Sequence, residues 1–301
     1  MQALIVYNPH SGMTRAARFA DELQAALKSR AVESRAVEVG ESLDLRGELG
    51  DCRALVIMGG DGTVNRALET CAQLGVAIYH FPCGNQNLFA RACGHTRDVE
   101  FAAALVAGGK TATLDVGAVA SVDHLDKARR FSLMVSFGPD ASVIERLCSA
   151  PRRARGHLAY LGPVLAEAFD AIVHPAPQPL RVWVDGKKIA DDAGWLIVAA
   201  NTPYALGLDP CALGETPKPG DGLLDVRFFP LRSRLGVFKW MARCTFKTAA
   251  QHPALVCCRG KAVVVEGGGA WQLDGDAGGR LNSGEKLRLE CLDSPITYFV
   301  R

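Results

Sequence analysis

A glycine-rich turn, Gly59-Gly60-Asp61-Gly62-Thr63, lies between an apolar run at 54–58 and a helical stretch. Glycines let the main chain approach a phosphate closely, and the first amides of a helix present unpaired N–H groups to it. The Asp61 carboxylate would repel a bare phosphate, so it suits a site where a metal ion or an acceptor hydroxyl lies between them. A tight turn with Asp61 as a helix cap accounts for the same residues equally well.

Two further polar breaks follow neighbouring apolar runs. Asn8-Pro9-His10-Ser11-Gly12 ends a run at 3–7, and Pro82-Cys83-Gly84 ends a run at 76–81. If these runs are parallel strands, all three breaks lie at the carboxyl ends of strands, where ligands bind in open α/β sheets. This grouping favours a functional role for the glycine-rich turn.

The segments between these runs are predicted to be helices that cover a parallel sheet. One carries an apolar stripe at helical spacing, and a second carries an apolar face after the glycine-rich turn. The two sets are Ala16, Phe19, Ala20, Leu23 and Leu27, and Val64, Leu68 and Cys71. Strands that are apolar on both faces and alternate with helices indicate βαβ units, so we expect a Rossmann-like N-terminal domain.

The second half of the sequence has a different pattern. Short apolar runs are separated by turn signals rather than by helices, which is typical of an antiparallel sheet or β-sandwich. The runs lie at 131–137, 180–184, 195–200, 223–229, 261–265 and 286–292, and helices are predicted at 156–173 and 233–247. A charged stretch at 123–130 places the domain boundary, which gives an α/β domain over 1–122 and a β-sandwich domain over 123–301.

Composition excludes several classes of protein. The 301 residues are 49% hydrophobic and 22% charged, which is ordinary for a folded chain and excludes a disordered or fibrous one. A formal net charge of +2 lacks the basic excess that is typical of a nucleic-acid binder. Neither a membrane-spanning helix nor a secretory signal peptide is expected. Ten scattered cysteines without a C-x-x-C pair predict buried, reduced thiols in a cytosolic protein.

Six segments in the same order resemble the motifs of the diacylglycerol kinase and sphingosine kinase catalytic-domain family, and together they span nearly the whole chain. Three are the breaks described above, of which the last continues as Gly84-Asn85-Gln86-Asn87-Leu88. The later three are Arg155-Gly156-His157-Leu158-Ala159-Tyr160-Leu161, Asp221-Gly222-Leu223-Leu224-Asp225-Val226 and Leu273-Asp274-Gly275-Asp276.

The resemblance implies a lipid kinase that moves the γ-phosphoryl group of ATP to a lipid hydroxyl with Mg²⁺, in a cleft between the two domains. It places Asp61 on the magnesium nucleotide and Asp276 as the general base. It assigns Mg²⁺ to the carboxylate of Asp221 and the carbonyls of Lys218 and Leu223. The nucleotide-binding positions that it implies are Asn8, Pro9, His10, Ser11, Gly12, Gly60, Asp61, Gly62, Thr63, Val64, Asn65, Arg66 and Asn85.

The sequence departs from the family pattern at three places. The usual Gly-Thr-x-Asn-Asp reads Gly-Asn-Gln-Asn-Leu here, with Asn85 and Leu88 at the altered positions. Arg66 stands where the family has an acidic residue, and Asp276 is one methylene shorter than the commoner Glu. Two alternatives therefore stay open: a soluble small-molecule kinase resembling NAD kinases, which share the Gly-Gly-Asp-Gly-Thr loop, and a catalytically altered relative that binds nucleotide or lipid.

A basic and then apolar segment bears on the membrane. Arg152, Arg153 and Arg155 precede Leu158 and Tyr160, which suits either a solvated helix start or a contact with anionic lipid. With a lipid substrate, we expect a cytoplasmic protein that visits the inner membrane surface and takes part in phospholipid synthesis. An exposed edge of the sandwich would also permit a homodimer.

Overall fold

The computed structural model describes residues 1–8, 16–40, 44–84, 86–149, 161–174, 179–202 and 218–301. These residues form two compact units, 1–114 with 294–301, and 115–293. The division differs from the predicted one at 122/123 in two ways. Residues 115–122 belong to the second unit, because a strand at Gly117–Ser121 pairs there, and the last eight residues return to the first unit.

The first unit is the predicted parallel α/β domain. Its strands follow the order β2-β1-β3-β4-β17-β5, in which only the β5 pairing is antiparallel within the described residues. The strands are β1 (Gln2–Tyr7), β2 (Glu33–Glu38), β3 (Ala54–Gly59), β4 (Ala77–Pro82), β5 (Thr111–Leu114) and β17 (Ile296–Phe299). The helices are α1 (Ala16–Lys28), α2 (Leu45–Leu49), α3 (Asp61–Leu74), α4 (Leu88–Cys93) and α5 (Val99–Gly108).

The predicted helical stripes are confirmed. In α1, Ala20, Leu23 and Leu27 are buried in one cluster with the central strands, whereas Phe19 is only half-buried. In α3, the predicted face of Val64, Leu68 and Cys71 is fully buried. All six residues of β3 are buried, as expected for a central parallel strand covered on both faces.

The last strand of the chain was missed by the sequence analysis. β17 lies between β4 and β5 and runs parallel to β4. The buried His95 ring fastens it, since its Nε2 donates to the Phe299 carbonyl at 2.9 Å and its Nδ1 accepts from the His80 amide at 3.1 Å. An accepting Nδ1 requires a neutral ring, and burial lowers the pKa of His95 to about 4.

The second unit is antiparallel throughout its described residues. Its sheet follows the order β15-β14-β8-β10-β9-β13-β16-β6-β7, with β11 beside β10 and β12 beside β11. The strands are β6 (Gly117–Ser121), β7 (Arg129–Phe131), β8 (Met134–Phe137), β9 (Pro179–Val184), β10 (Lys187–Ala199), β11 (Leu224–Pro230), β12 (Val256–Gly260), β13 (Ala262–Gly267), β14 (Gly269–Leu273), β15 (Asp276–Leu281) and β16 (Lys286–Cys291). The helices are α6 (Pro139–Ser149), α7 (Leu161–Val173) and α8 (Gly236–Thr245), with a 3₁₀ turn at Leu125–Lys127.

The long strand β10 turns this sheet into a sandwich-like fold. Its first half pairs with β9, and its second half pairs with β8 and β11. The sheet therefore curls around one core, which contains Val182 and Val265 from one half and Val135 and Val226 from the other. The predicted fold class, a parallel α/β domain followed by an antiparallel β-sandwich domain, is confirmed.

The described helices include none with the length and apolar character that crossing a bilayer requires. The nine described cysteines are reduced thiols, as predicted. Five of them are buried, and burial raises the pKa of Cys71 to about 12. Cys148 and Cys257 are exposed, so the expectation that all the thiols are buried is wrong.

His95→Gln is expected to remove part of the acid sensitivity of folding. The unfolded histidine takes up a proton near pH 6.5, and the folded one does so only near pH 4, so stability is lost as the pH falls between these values. Glutamine can accept and donate at the same two sites without binding that proton. Denaturant unfolding at pH 7 and pH 4.5 should show the wild type losing about 2–3 kcal/mol more than the variant. Equal losses would contradict this prediction.

Candidate functional site

The glycine-rich turn of the first unit leaves the start of α3 open. Gly60 stands at the N-cap in an extended conformation and provides no side chain to accept from the first amides of the helix. The Asp61 carboxylate is directed elsewhere, because its Oδ1 accepts the Phe89 amide at 3.0 Å, in the first turn of α4. Asp61 therefore caps α4 rather than its own helix, and the amide end of α3 remains suited to an anion.

The loop after β4 packs backbone to backbone against this turn. A Cβ atom on Gly84 would lie 2.5 Å from the Gly60 Cα, so only glycine fits at 84 without a shift of the main chain. Asn87 closes the loop: its amide donates to the Gly84 carbonyl and accepts from the Gly84 N–H, both at 2.8 Å. Asn87 is in the left-handed region with φ 50°, which asparagine tolerates better than most residues. Two of the three predicted strand-end loops are thus in contact.

A buried histidine supports the turn from behind. The His80 ring is buried, and its Nε2 donates to the Gly59 carbonyl at 3.0 Å. Burial lowers the pKa of His80, and the negative charge of Asp61 opposes this only partly, so the ring is neutral. The sequence analysis gave His80 no role, since a histidine in an apolar strand has no local signature.

The other predicted nucleotide-binding residues differ in position. The Asn8 amide donates to the Met58 carbonyl at 3.1 Å, which places Asn8 beside the end of β3. Gly62 and Arg66 are exposed, whereas Thr63 and Val64 are buried within the unit. The Nδ2 atom of Asn65 is buried without a hydrogen-bond partner among the described residues. Five predicted positions lie outside the described residues: Pro9, His10, Ser11, Gly12 and Asn85.

In the second unit, a turn built on Asp274 presents Asp276. Asp274 is only 4% exposed, and its carboxylate accepts the amides of Ser132, Leu133 and Met134 at 2.8–3.0 Å. The next residue, Gly275, donates to Gln272 Oε1 at 2.9 Å. Asp276 follows as the exposed first residue of β15. The motif thus contains one carboxylate that holds the turn and a second one at the surface.

A second buried acid, Asp115, organises the loop that contains Asp221. Its carboxylate accepts the amides of Gly220, Asp221 and Gly222 at 2.8–3.1 Å. The sequence analysis missed Asp115, because a single acid between apolar residues resembles a strand end. A buried acid among apolar neighbours was nevertheless a signal, since a buried carboxylate requires several donors.

Asn201, also missed, joins the two loops. Its Oδ1 accepts the Asp115 amide at 3.1 Å, and its Nδ2 donates to the carbonyls of Asp115 and Ser132, both at 2.7 Å. Ser132 in turn donates its amide to Asp274. One continuous polar network therefore links the Asp221 loop to the Asp276 turn inside the second unit.

The Asp221 loop does not fit a resident magnesium ion as arranged. Asp221 Oδ1 accepts the Leu223 amide at 3.2 Å, and Oδ2 is paired with Arg259. The Nε atom of the same arginine lies 3.2 Å from Asp225 Oδ1. Both carboxylate oxygens of Asp221 thus already accept a hydrogen bond, and a divalent ion on Oδ2 would lie beside a guanidinium of like charge. Lys218, which precedes Asp221 in the same loop, is exposed. No group of three metal-binding side chains occurs among the described residues.

Comparisons with known proteins agree with this architecture. Residues 2–119 match the family model of the diacylglycerol kinase catalytic domain, and residues 133–292 match that of the YegS C-terminal NAD kinase beta sandwich-like domain. A diacylglycerol kinase of Mycobacterium tuberculosis is 30% identical over 234 residues, which cover 75% of this chain and 72% of that protein.

Two solved structures share the fold at low sequence identity. A diacylglycerol kinase from Bacillus anthracis aligns with a TM-score of 0.68 at 16% identity, covering 100% of this chain and 97% of that one. An NAD kinase from Archaeoglobus fulgidus, solved in complex with ATP, aligns with a TM-score of 0.52 at 17% identity, covering 100% and 94%.

Arg259→Gln is expected to create a response to magnesium. The change leaves Asp221 and Asp225 without their shared cation, which should cost about 1 kcal/mol and lower the melting temperature by about 2–4 °C in chelator. Added Mg²⁺ should then raise the melting temperature of the variant more than that of the wild type. Arg288→Gln, which removes a half-buried arginine paired with Glu290, is the matched control. A wild type stabilised by Mg²⁺ as strongly as the variant would show that the loop binds the ion despite Arg259.

Proposed function

Because the chain belongs to the diacylglycerol kinase family and is an ATP-dependent kinase, we propose that it transfers the γ-phosphoryl group of ATP to the hydroxyl of a diacylglycerol-like membrane lipid. The family supports a lipid kinase in general, and the diacylglycerol-like acceptor is part of the proposal. The reaction needs a site for the phosphates, neutralisation of their charge and a base for the acceptor hydroxyl.

The open start of α3 supports the phosphate site, and this observation carries the proposal. Gly60 lets a phosphate approach the main chain, and the helix offers its first amides and the positive end of its dipole. Because Asp61 caps α4 instead, no carboxylate of the chain occupies that place in the described contacts. We assign the nucleotide to this turn, with Asn8 and Asn65 among its contacts. Positions 9–12 and 85, which lie outside the described residues, stay in this assignment as predictions from the sequence.

Asp61 has two roles in this proposal. One oxygen holds α4 against the turn through the Phe89 amide. Its carboxylate would also provide an oxygen ligand for Mg²⁺. In kinase sites this ion is held mainly by substrate phosphates and by one or two carboxylates. Magnesium, when bound with the nucleotide, neutralises charge on the transferring phosphoryl group. The half-exposed Asp61 fits that use better than Asp221 does, since Arg259 already neutralises Asp221.

Asp276 is the proposed general base. It is exposed, and the preceding Asp274 turn fixes the main chain by four hydrogen bonds to Ser132, Leu133 and Met134, one of them from the Ser132 hydroxyl. A base that takes a proton in the transition state must be held in place, because a small displacement lengthens the hydrogen bond to the acceptor hydroxyl. The buried network through Asn201 and Asp115 provides that rigidity.

Asp276→Asn is expected to lower kcat by about 10²–10⁴-fold, because asparagine keeps the shape but cannot accept the hydroxyl proton. The assay is transfer of labelled γ-phosphate from ATP to diacylglycerol in mixed micelles. Asp123→Asn, which neutralises another exposed carboxylate in the same unit, is the matched control and should retain wild-type activity. Wild-type turnover by Asp276→Asn would end its assignment as the base.

For Asp61, a pair of substitutions separates charge from structure. Asp61→Asn removes the charge but can still accept the Phe89 amide, whereas Asp61→Ala removes both. We expect both variants to lose at least about tenfold in kcat/KM for ATP, with only Asp61→Ala also losing thermal stability. If Asp61→Asn keeps full activity and Asp61→Ala does not, the carboxylate acts only as a cap.

The likeness of the second unit to an NAD kinase sandwich supports a second candidate, a soluble NAD-type kinase. The same assay distinguishes them, because that enzyme would phosphorylate NAD without any lipid. ATP binding measured by calorimetry, with transfer to neither acceptor, would instead indicate the catalytically altered relative that Arg66 and Leu88 leave open.

A further inference from the structure

Helix α8 is anchored to the second unit by one face only. Val237, Trp240 and Cys244 are buried in a cluster with Trp195 and Phe229. The Trp240 indole donates to the Pro230 carbonyl at 2.9 Å, and its ring meets that of Phe229 edge-to-face at 5.2 Å. These contacts fix the orientation of the helix, and among the described residues its opposite face contributes nothing to that cluster.

The opposite face exposes large apolar side chains. Phe246, which caps the end of the helix, is 76% exposed, and Phe238 and Leu235 are 40% and 38% exposed. The described residues include ten large apolar side chains at the surface, and seven of them belong to α7, α8 and these flanking positions. Scattered exposed apolar residues are ordinary, but this concentration on two helices marks an interaction surface.

The same face is cationic and lacks acids. No aspartate or glutamate occurs from residue 226 to residue 265. Lys239 and Arg243 of the helix and Lys247 just after it are exposed and form no ion pair with any described residue. Basic residues interleaved with phenylalanine on one face of a helix are typical of helices that lie in the interface of an anionic bilayer.

Helix α7, which ion pairs link to Arg234 just before α8, has its charged side facing inward and its apolar side facing outward. Its inner side carries Glu167 and Asp170, which are paired with Arg146 of α6 and with Arg234, two residues before α8. Its outer side is apolar and more than half exposed at Leu165, Phe169, Ile172 and Val173. A helix with its charges inside and its apolar side outside is suited to an apolar exterior rather than to water.

We propose that α8 is a docking helix for an anionic membrane surface, with Phe238 and Phe246 inserted at the level of the headgroups and Lys239, Arg243 and Lys247 on anionic headgroups. The choice of a bilayer as occupant rests on the proposed function, since a diacylglycerol-like acceptor is dissolved there. A second copy of the chain fits poorly, because a twofold contact would place two cationic faces against each other.

The binding test uses vesicles of phosphatidylcholine alone and of phosphatidylcholine with phosphatidylglycerol. The wild type should bind only the anionic vesicles, and Lys239→Gln/Arg243→Gln/Lys247→Gln should bind them on the order of 100-fold more weakly. Phe238→Ser/Phe246→Ser should also bind more weakly, with the salt dependence retained. The matched control, Lys28→Gln/Lys110→Gln/Lys127→Gln, removes three exposed cations elsewhere and should bind like the wild type.

Several results would overturn the proposal. One is vesicle binding that is unchanged in the α8 variants, and another is an equal loss of binding in the control variant. A third is a dimer that dissociates in the α8 variants while no form of the protein binds vesicles. The fourth is binding of a nucleic-acid oligonucleotide in place of vesicles. Circular dichroism and thermal unfolding establish that each variant is folded. Phe246 is 76% exposed and Phe238 40%, so their replacement should lower the melting temperature only slightly.

A kinase assay keeps this inference separate from the proposed function. On a short-chain diacylglycerol dissolved in water, the α8 variants should match the wild type, and on vesicle-embedded diacylglycerol they should be slower. Binding through α8 without phosphorylation of any lipid would refute the proposed acceptor and support the docking helix. Equal activity of the variants on both forms of the lipid would refute the docking helix and support the acceptor.

Discussion

The hydrogen bonds from three backbone amides to the buried carboxylate of Asp115 are the interaction on which the loops of the second unit depend. A carboxylate with 2% exposure is tolerated only where several donors replace water, and here the donors belong to the loop that must be held. Asp274 does the same with three amides at 132–134. Asn201 bonds to both regions. Two loops far apart in sequence are thereby held in one fixed relation.

The first unit holds its loops by backbone packing rather than by charge. Gly60 and Gly84 bring two strand-end loops into contact. Asp61 accepts the Phe89 amide across that contact, and Asn87 closes its own loop through Gly84. A larger residue at 84 would separate the loops, and a different N-cap at 60 would fill the place of an anion. The close backbone contact therefore explains sterically why glycine occupies these positions, without any comparison with relatives.

Local patterns predicted those parts of the fold that local residues determine. The stripe of α1, the buried strand β3 and the antiparallel second half follow from spacing and apolar runs, and the strand-end loops follow from glycine. β17 was not predictable in this way, because its place beside β4 depends on contacts with residues about 200 positions earlier, such as Phe299 with His95. The roles of Asp115 and Asn201 were not predictable for the same reason, because their hydrogen-bond partners are distant in the sequence. Arg259 could not be anticipated either, since only the fold brings it to Asp221.

The net charge of the sequence also gave no indication of the local positive charge around α8. A net charge of +2 excludes a strongly basic protein, but it says nothing of the acid-free stretch that contains α8. Arg152, Arg153 and Arg155, which suit either a solvated helix start or a contact with anionic lipid, lie outside the described residues. Amphipathic spacing likewise predicts a helix at α7 but not which side faces inward. Arg146 and Arg234 decide that, because they pair with Glu167 and Asp170, whose carboxylates would be costly to place on the inner side without a partner. The apolar side is then left outside, where the proposed docking on a bilayer would use it.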